Sequence, residues 1–426
     1  MAITEDKRTR ILESAIEHLA HTLGVRAEDL REKNFYRDAS STSWDVTPYN
    51  QALKYCRINQ VWRDWRTLTE FDTREPAVQA FNAANRWRKR GIAMIPLKYG
   101  ISYTYRPMNQ GGAYVITMSA DGTVILHHGG IEMGQGIHTK MIAIAAQTLG
   151  IDYGLISVAE SETSTIPNAS STGASTGSDL NGGAVKAACT ILRERLTAFC
   201  LSQYEVKDFP DWVHEWAKSW PKVVALANTA RIDLSAEALY DSPNLGELDP
   251  KTGQLPNGEQ LFYYFTYCVA VSEVEIDVLT GESEVLRADL VYDAGRSLDS
   301  VLDFGQIEGG FIQGWGWLAL EELWWNDRGE LKTFAPSTYK IPTAHDVPAH
   351  FRVDFFDAPN REDTIYRSKA VGEPPFMLAL SGFQALRDAI ASVGAPGVAP
   401  RLDAPATDER ILASITELRQ RAKPHD

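Results

Sequence analysis

One carboxylate in the chain is mounted as a catalytic base would be. Glu373 stands between Gly372 and the pair Pro374-Pro375, in the stretch Arg367-Ser-Lys-Ala-Val-Gly-Glu-Pro-Pro-Phe376. Gly372 admits close approach of another group to the backbone. The prolines fix their own φ, and Pro374 also restricts the backbone of Glu373. A carboxylate held this stiffly can take a proton from a reacting group at a defined place. The same local pattern also fits an exposed Glu near a helix N-terminus, where negative charge is favoured.

Two further stretches could bind rather than react. Gly129-Gly-Ile-Glu-Met-Gly-Gln-Gly136 feeds a helical pattern from His138 to Leu149. A glycine-rich bend before a helix exposes backbone N–H groups and suits an anion; a tight strand-to-helix turn accounts for it equally well. Ser161 to Ser178 holds ten Ser or Thr among eighteen residues. Such a run is either a linker or, tied down at both ends, a hydroxyl-rich loop that presents donors to a polyanionic ligand.

The elements that must position these groups follow from periodicity. Residues 8–23 set Ile11, Ala15, Ile16, Leu19 and Leu23 on one helical face, with Gly24 as the C-cap. A second helix is expected over Pro76–Lys89, with Pro76 in its first turn, and a buried strand over Gly91–Pro96. Tyr114–Met118 and Thr123–Leu126 flank Asp121-Gly122, a strong hairpin signal. A strand at Leu155–Ala159 precedes the hydroxyl-rich loop, and Asp179 is expected to N-cap the long helix after it. Phe262–Val278 and Glu284–Tyr292 make a second hairpin, followed by a glycine-interrupted helix over Val301–Leu323. Its glycines imply that something approaches its backbone closely. A strand at Phe351–Phe356 leads to Glu373, the apolar helix beyond it and a final helix near Asp408–Arg421. The pattern predicts an α+β fold of layered hairpins and helices. It divides into residues 1–110, an N-terminal helical and mixed part; 111–240, a hairpin-helix subdomain; and 241–426, a second such subdomain carrying Glu373.

Composition bounds the function. The 426 residues are 44% hydrophobic and 23% charged, with a formal net charge of -14. That balance argues against nucleic-acid or anionic-membrane partners. No apolar run approaches a membrane span and the N-terminus lacks a signal-peptide core, so a cytoplasmic location is expected. Cys56, Cys189, Cys200 and Cys268 show no CxxC or metal spacing and offer no iron–sulfur site. His127, His128 and His138 are not read as a metal cluster, and no Gly-x-Ser-x-Gly elbow marks a hydrolase.

Five collinear stretches carry a family resemblance. Gly129–Met141, Thr163-Ser-Thr-Ile-Pro-Asn168, Ser178-Asp-Leu-Asn-Gly182, Pro336-Ser-Thr-Tyr-Lys-Ile-Pro342 and Lys369–Pro375 resemble the molybdenum hydroxylases, and xanthine dehydrogenases more than aldehyde oxidases. The resemblance covers the last portion of the family's molybdopterin-binding region and implies the second molybdenum-cofactor-binding domain of that type. It makes Glu373 the catalytic base that lets oxygen from water attack an electron-poor carbon, with the redox step left to the cofactor.

By the same resemblance Met133, Gly134, Gln135, Ala174, Ser175 and Gln306 contact molybdenum-molybdopterin, while Tyr103 and Thr104 line the substrate pocket. No protein side chain is implied as a metal ligand. Tyr103 stands where the family usually has Phe, and Gly177 where Ser is usual. The [2Fe-2S] clusters, FAD, the first molybdenum half and the substrate-orienting Glu and Arg are expected on partner chains or other segments, within an oligomer. The implied reaction is hydroxylation of a purine such as hypoxanthine or xanthine. The alternatives are an aldehyde or other N-heterocycle oxidase subunit, or a truncated, non-catalytic remnant.

Overall fold

The computed structural model describes residues 2–37, 45–166, 169–203, 215–256, 258–395 and 397–421. Pro167 and Asn168 of the second motif lie outside these.

The chain opens with helices α1 (Ala2–Leu23), α2 (Ala27–Lys33), α3 (Ile58–Leu68) and α4 (Phe71–Ala84). Strand β1 (Arg88–Ile101) follows, then the hairpin β2 (Gln110–Thr117) and β3 (Val124–His128), helix α5 (Ile137–Leu149) and strand β4 (Ile156–Val158). Helices α6 (Gly177–Gln203) and α7 (Trp216–Thr229) lead to β5 (Ser235–Asp241). A second hairpin, β6 (Tyr264–Asp277) and β7 (Ser283–Tyr292), precedes α8 (Ser300–Trp315) and β8 (His350–Phe355). The chain closes with α9 (Pro374–Leu378), α10 (Leu380–Ala391) and α11 (Asp408–Arg421).

Two four-stranded sheets result, ordered β4-β3-β2-β5 and β8-β7-β6-β1. They share one plan. In each, a hairpin is followed by a helix and a strand that returns parallel to the hairpin's second strand, β4 beside β3 and β8 beside β7. In each, the outer edge is closed by an antiparallel strand, β5 on β2 and β1 on β6. This α+β arrangement agrees with the layered hairpins read from the sequence. The pairings run across the segment boundary expected at residue 110, because β1 lies before it yet pairs with β6 along its whole length. One core fills the space between the first sheet and α5, α6 and α7. Two others cover the faces of the second sheet, one under α8 and α10 and one under α3 and α4.

Several local expectations shift. Pro76 sits inside α4, because the helix begins at Phe71. Asp179 is not an N-cap: α6 starts at Gly177, and the Asp179 carboxylate is buried and accepts the Tyr264 hydroxyl at 2.6 Å. The largest difference is in α1. Its apolar stripe faces outward, with Ile11, Leu12, Leu19 and Leu23 exposed by 47–64%, while Glu13 and Glu17 point inward to the buried Arg31. Gly24 does end that helix with φ of +64°.

Two of the four glycines of α8, Gly310 and Gly314, have the predicted close neighbour, whereas Gly305 and Gly309 meet nothing. A Cβ on Gly314 would lie 2.1 Å from the Phe376 carbonyl oxygen, and one on Gly310 would lie 2.8 Å from Pro375. The helix backbone therefore seats directly against the segment that follows Glu373.

Candidate functional site

Both loops that precede the second helix of each hairpin unit meet at the seam between the sheets. The loop before α6 contributes Ser175 and the loop before α9 contributes Glu373. Ala174 and Ser175 take left-handed backbone conformations, φ +50° and +57°, which costs a non-glycine residue roughly 1–2 kcal/mol each. The turn is closed by Thr176, whose N–H and hydroxyl both donate to the Gly173 carbonyl at 3.1 and 3.0 Å. Gly372 makes the meeting possible, since a Cβ there would stand 3.1 Å from Ser175 Oγ.

Glu373 is held at three points. Its Oε2 accepts from the Tyr99 hydroxyl at 2.9 Å and from Ser175 Oγ at 3.0 Å. Its own N–H donates to Ser175 Oγ at 2.9 Å. Among the described residues Oε1 has no hydrogen-bond partner, and the half-buried carboxylate borders a cavity of about 250 Å³. That cavity is also lined by Met133, Gln135, Ser175 and Gln306. Five of the residues singled out from the sequence are therefore brought to one wall.

The others lie close by. Gly134 sits in the β3–α5 turn with φ of +98°, and Ala174 in the strained loop, but neither forms the wall. Tyr103 stands behind it: its hydroxyl donates to the Ser171 carbonyl at 2.7 Å, and a Cβ on Gly173 would meet it at 2.6 Å. Thr104 follows Tyr103, half-buried and off the wall. A side chain at Gly177 would meet Ile137 at 3.1 Å.

The Gly129–Gly136 bend is the tight turn rather than an open anion site. The Glu132 carboxylate already accepts from the N–H groups of Gly134, Gly136 and His138 at 2.8, 2.9 and 3.1 Å. Burial pushes the Glu132 carboxyl up, but those donors outweigh it and hold it below the usual carboxylate range. His128 Nε2 and His138 Nδ1 are 2.9 Å apart. Burial and the neighbouring imidazole push His128 down to about 4, so it is neutral near neutral pH.

Four residues that sequence reading passed over support the site. Tyr99 was hidden because the strand was expected to end at Pro96, whereas it runs to Ile101 with Leu97, Tyr99 and Ile101 all buried. The Tyr264 hydroxyl accepts from Ala370 N–H at 2.8 Å while it donates to Asp179, and the Tyr292 hydroxyl donates to the Ala370 carbonyl at 2.8 Å. Both polar groups of one residue, three before Glu373, are thus pinned from the second sheet. Lys140, on α5, lines the cavity and pairs with buried Asp303 on α8.

The donor set suits a polar, anionic cofactor with flat apolar surface. Hydroxyls of Thr172 and Ser178, the Gln306 amide and the Lys140 ammonium stand beside Ile137 and Val371, while the Ser175 hydroxyl is given to Glu373.

A family model described as molybdopterin cofactor-binding domain matches residues 65–348. The chain is 42% identical to xanthine dehydrogenase/oxidase of Mus musculus over 94% of its length, and 42% identical to xanthine dehydrogenase of Oryza sativa subsp. japonica over 96%. It spans 29% of the length of either. The fold is similar to quinoline 2-oxidoreductase from Pseudomonas putida 86, with a TM-score of 0.78 at 22% identity, covering 96% of this chain and 52% of that one.

Proposed function

The chain belongs to the molybdopterin cofactor-binding domain family, and on that premise we propose that it is the molybdopterin-binding subunit or fragment of a xanthine dehydrogenase-like hydroxylase whose general base is Glu373. Met133, Gln135, Ser175 and Gln306, which line the cavity, would hold the molybdenum-molybdopterin, with Gly134 and Ala174 shaping the two loops that carry them. When bound, the cofactor supplies the two-electron redox step. The chain's own part is proton transfer and positioning. Tyr99 and Ser175 donate to Glu373 Oε2, which leaves Oε1 to accept a proton from the oxygen nucleophile as it attacks the substrate carbon. Water supplies that oxygen: one C–O bond forms as the substrate C–H and one water O–H bond break, so the substrate gives up two electrons and one proton and the water gives up the second proton. The electrons pass to iron–sulfur and FAD groups on partner chains.

The observation that carries this reading is the three-point seating of Glu373 on the wall it shares with Met133, Gln135 and Gln306. Its cavity, about 250 Å³, is below the roughly 300–1,000 Å³ of a complete ligand pocket, which favours completion by a partner. Among the described residues no helix is long and apolar enough to cross a membrane.

Identity to the xanthine dehydrogenases favours a purine substrate. An aldehyde or other N-heterocycle is the second reading, motivated by Tyr103 in place of the usual Phe. The Tyr103 hydroxyl is engaged by Ser171 instead of being open to a substrate, which leaves the purine reading ahead. The test is the assembled enzyme on a substrate panel with xanthine, aldehydes and quinoline. Xanthine-dependent dye reduction by the complex and none by the lone chain is expected. Good aldehyde turnover without xanthine turnover reverses the order of the two readings, and a complex without molybdenum makes the chain a remnant.

A further inference from the structure

We propose that the outward apolar stripe of α1 is the docking face for the polypeptide that supplies the rest of the molybdopterin-binding region. The inference rests on the split-site reading above and names the surface through which the partner attaches.

Helix α1 is turned inside out. Glu13 and Glu17 are buried at 5% and 9% exposure, whereas Ile11, Leu12, Leu19 and Leu23 are exposed at 64%, 60%, 47% and 58%. The cause is Arg31 on α2, itself 1% exposed, whose guanidinium takes Glu13 at 2.8 Å and Glu17 at 2.6 Å. Rotating the stripe inward would take from the buried Arg31 two of its three carboxylates, leaving only Glu28 at 3.4 Å, and breaking buried pairs costs about 3–5 kcal/mol. Among the described residues the stripe therefore finds no cover in this chain's own core, and the cover we assign to it is another polypeptide.

The surface leads toward the site. Ile11 lines a groove of about 580 Å³ together with Trp317, Leu323, Tyr339 and Phe376. Phe376 lies three residues after Glu373, and Thr9 on α1 touches Met377 Sδ at 3.8 Å. Leu323 is itself 54% exposed. Ile11 thus joins the stripe to a groove whose apolar residues reach the helix behind the base, with Arg10, Glu321, Glu322 and Arg410 also in its lining; exposed apolar surface of this kind marks interaction sites. The relatives carry more than two thirds of their length beyond what this chain matches, since it spans 29% of them. That additional polypeptide is the occupant we assign to the apolar face of α1, beside the helix that follows Glu373.

The probe is the source organism's polypeptide that matches the remaining molybdopterin-binding segment of the xanthine dehydrogenases, co-expressed with the full chain. The wild type is expected to co-purify as an equimolar complex, and the L12E/L19E variant to lose at least 10-fold in affinity while keeping its own melting temperature and circular dichroism. Unchanged affinity of that variant overturns the proposal, as does failure of the wild-type pair to associate. A wild-type dimer of this chain that L12E/L19E converts to monomer overturns it in favour of a second copy. A complex that depends on the stripe but turns over no xanthine sinks the substrate reading and leaves the docking face standing.

Discussion

Lys140, the fourth residue of α5, pairs with Asp303, the fourth residue of α8, across the seam between the two hairpin units. The equivalence is of place. Each helix follows its unit's hairpin, so the ion pair joins matching positions of two units that share a strand plan. Both side chains are buried, and Asp303 also accepts from Ser297 Oγ at 2.6 Å. The Glu373 cavity lies on this seam, with Lys140 in its wall.

Lys140→Met is accordingly expected to destabilise the chain by about 3–5 kcal/mol, because Asp303 is left buried without a cation. The double variant Lys140→Met, Asp303→Leu should recover most of that loss. Urea unfolding of the three proteins checks it; equal losses in the single and double variants would mean that the pair does not couple the units.

The legible and illegible parts of this molecule divide along a physical line. Glu373, the Met133–Gln135 turn and the Ser175 loop announce themselves through local backbone constraints: prolines, glycines and a run of hydroxyls. Hairpins and helices were legible within a few residues because periodicity is local too. Tyr99, Tyr264 and Tyr292 were not, since a tyrosine in a strand reads as core, and only the packed sheet shows where its hydroxyl goes. The direction of the α1 stripe was hidden for a related reason. Periodicity defines a face without saying where it points, and Arg31, well beyond the helix, decides it.

Replacing Glu373 by Gln keeps its shape and removes its basicity. In the assembled enzyme kcat is expected to fall by about 10²–10⁴-fold, with molybdenum content unchanged by metal analysis. Activity within a few-fold of wild type would remove Glu373 from the role of base.

Ser175→Ala deletes the hydroxyl that donates to Glu373 Oε2 and accepts its N–H. Losing one hydrogen bond to a charged group should lower kcat of the assembled enzyme by roughly 10-fold. Tyr99→Phe removes the other donor and should lower kcat by a similar factor. Wild-type kcat in both variants would show that these hydroxyls do not seat the base.

Asp179 supplies a pH test that needs no cofactor. Burial pushes its carboxyl up from 3.8 to about 7, against the Tyr264 hydrogen bond and the nearby Lys140, which pull it down. Below pH 3.8 both folded and unfolded chains hold this proton. As pH rises toward 7 the unfolded chain releases it while the folded chain keeps it, so the unfolded state gains and stability falls. Above about 7 the loss is complete. Asp179→Asn retains an oxygen to accept from Tyr264 and removes the titration. Its stability relative to wild type should therefore climb between pH 4 and 7, by at most about 1.4 kcal/mol per unit, and level off above. Because Glu28 is likewise pushed up to about 7 and Asp388 to about 8, the difference between the two proteins, followed by urea unfolding across the series, is the quantity to measure. A difference that does not vary with pH would mean that Asp179 ionises in the fold as it does in the open chain, and that Tyr264 bridges a carboxylate to Ala370 at all working pH values.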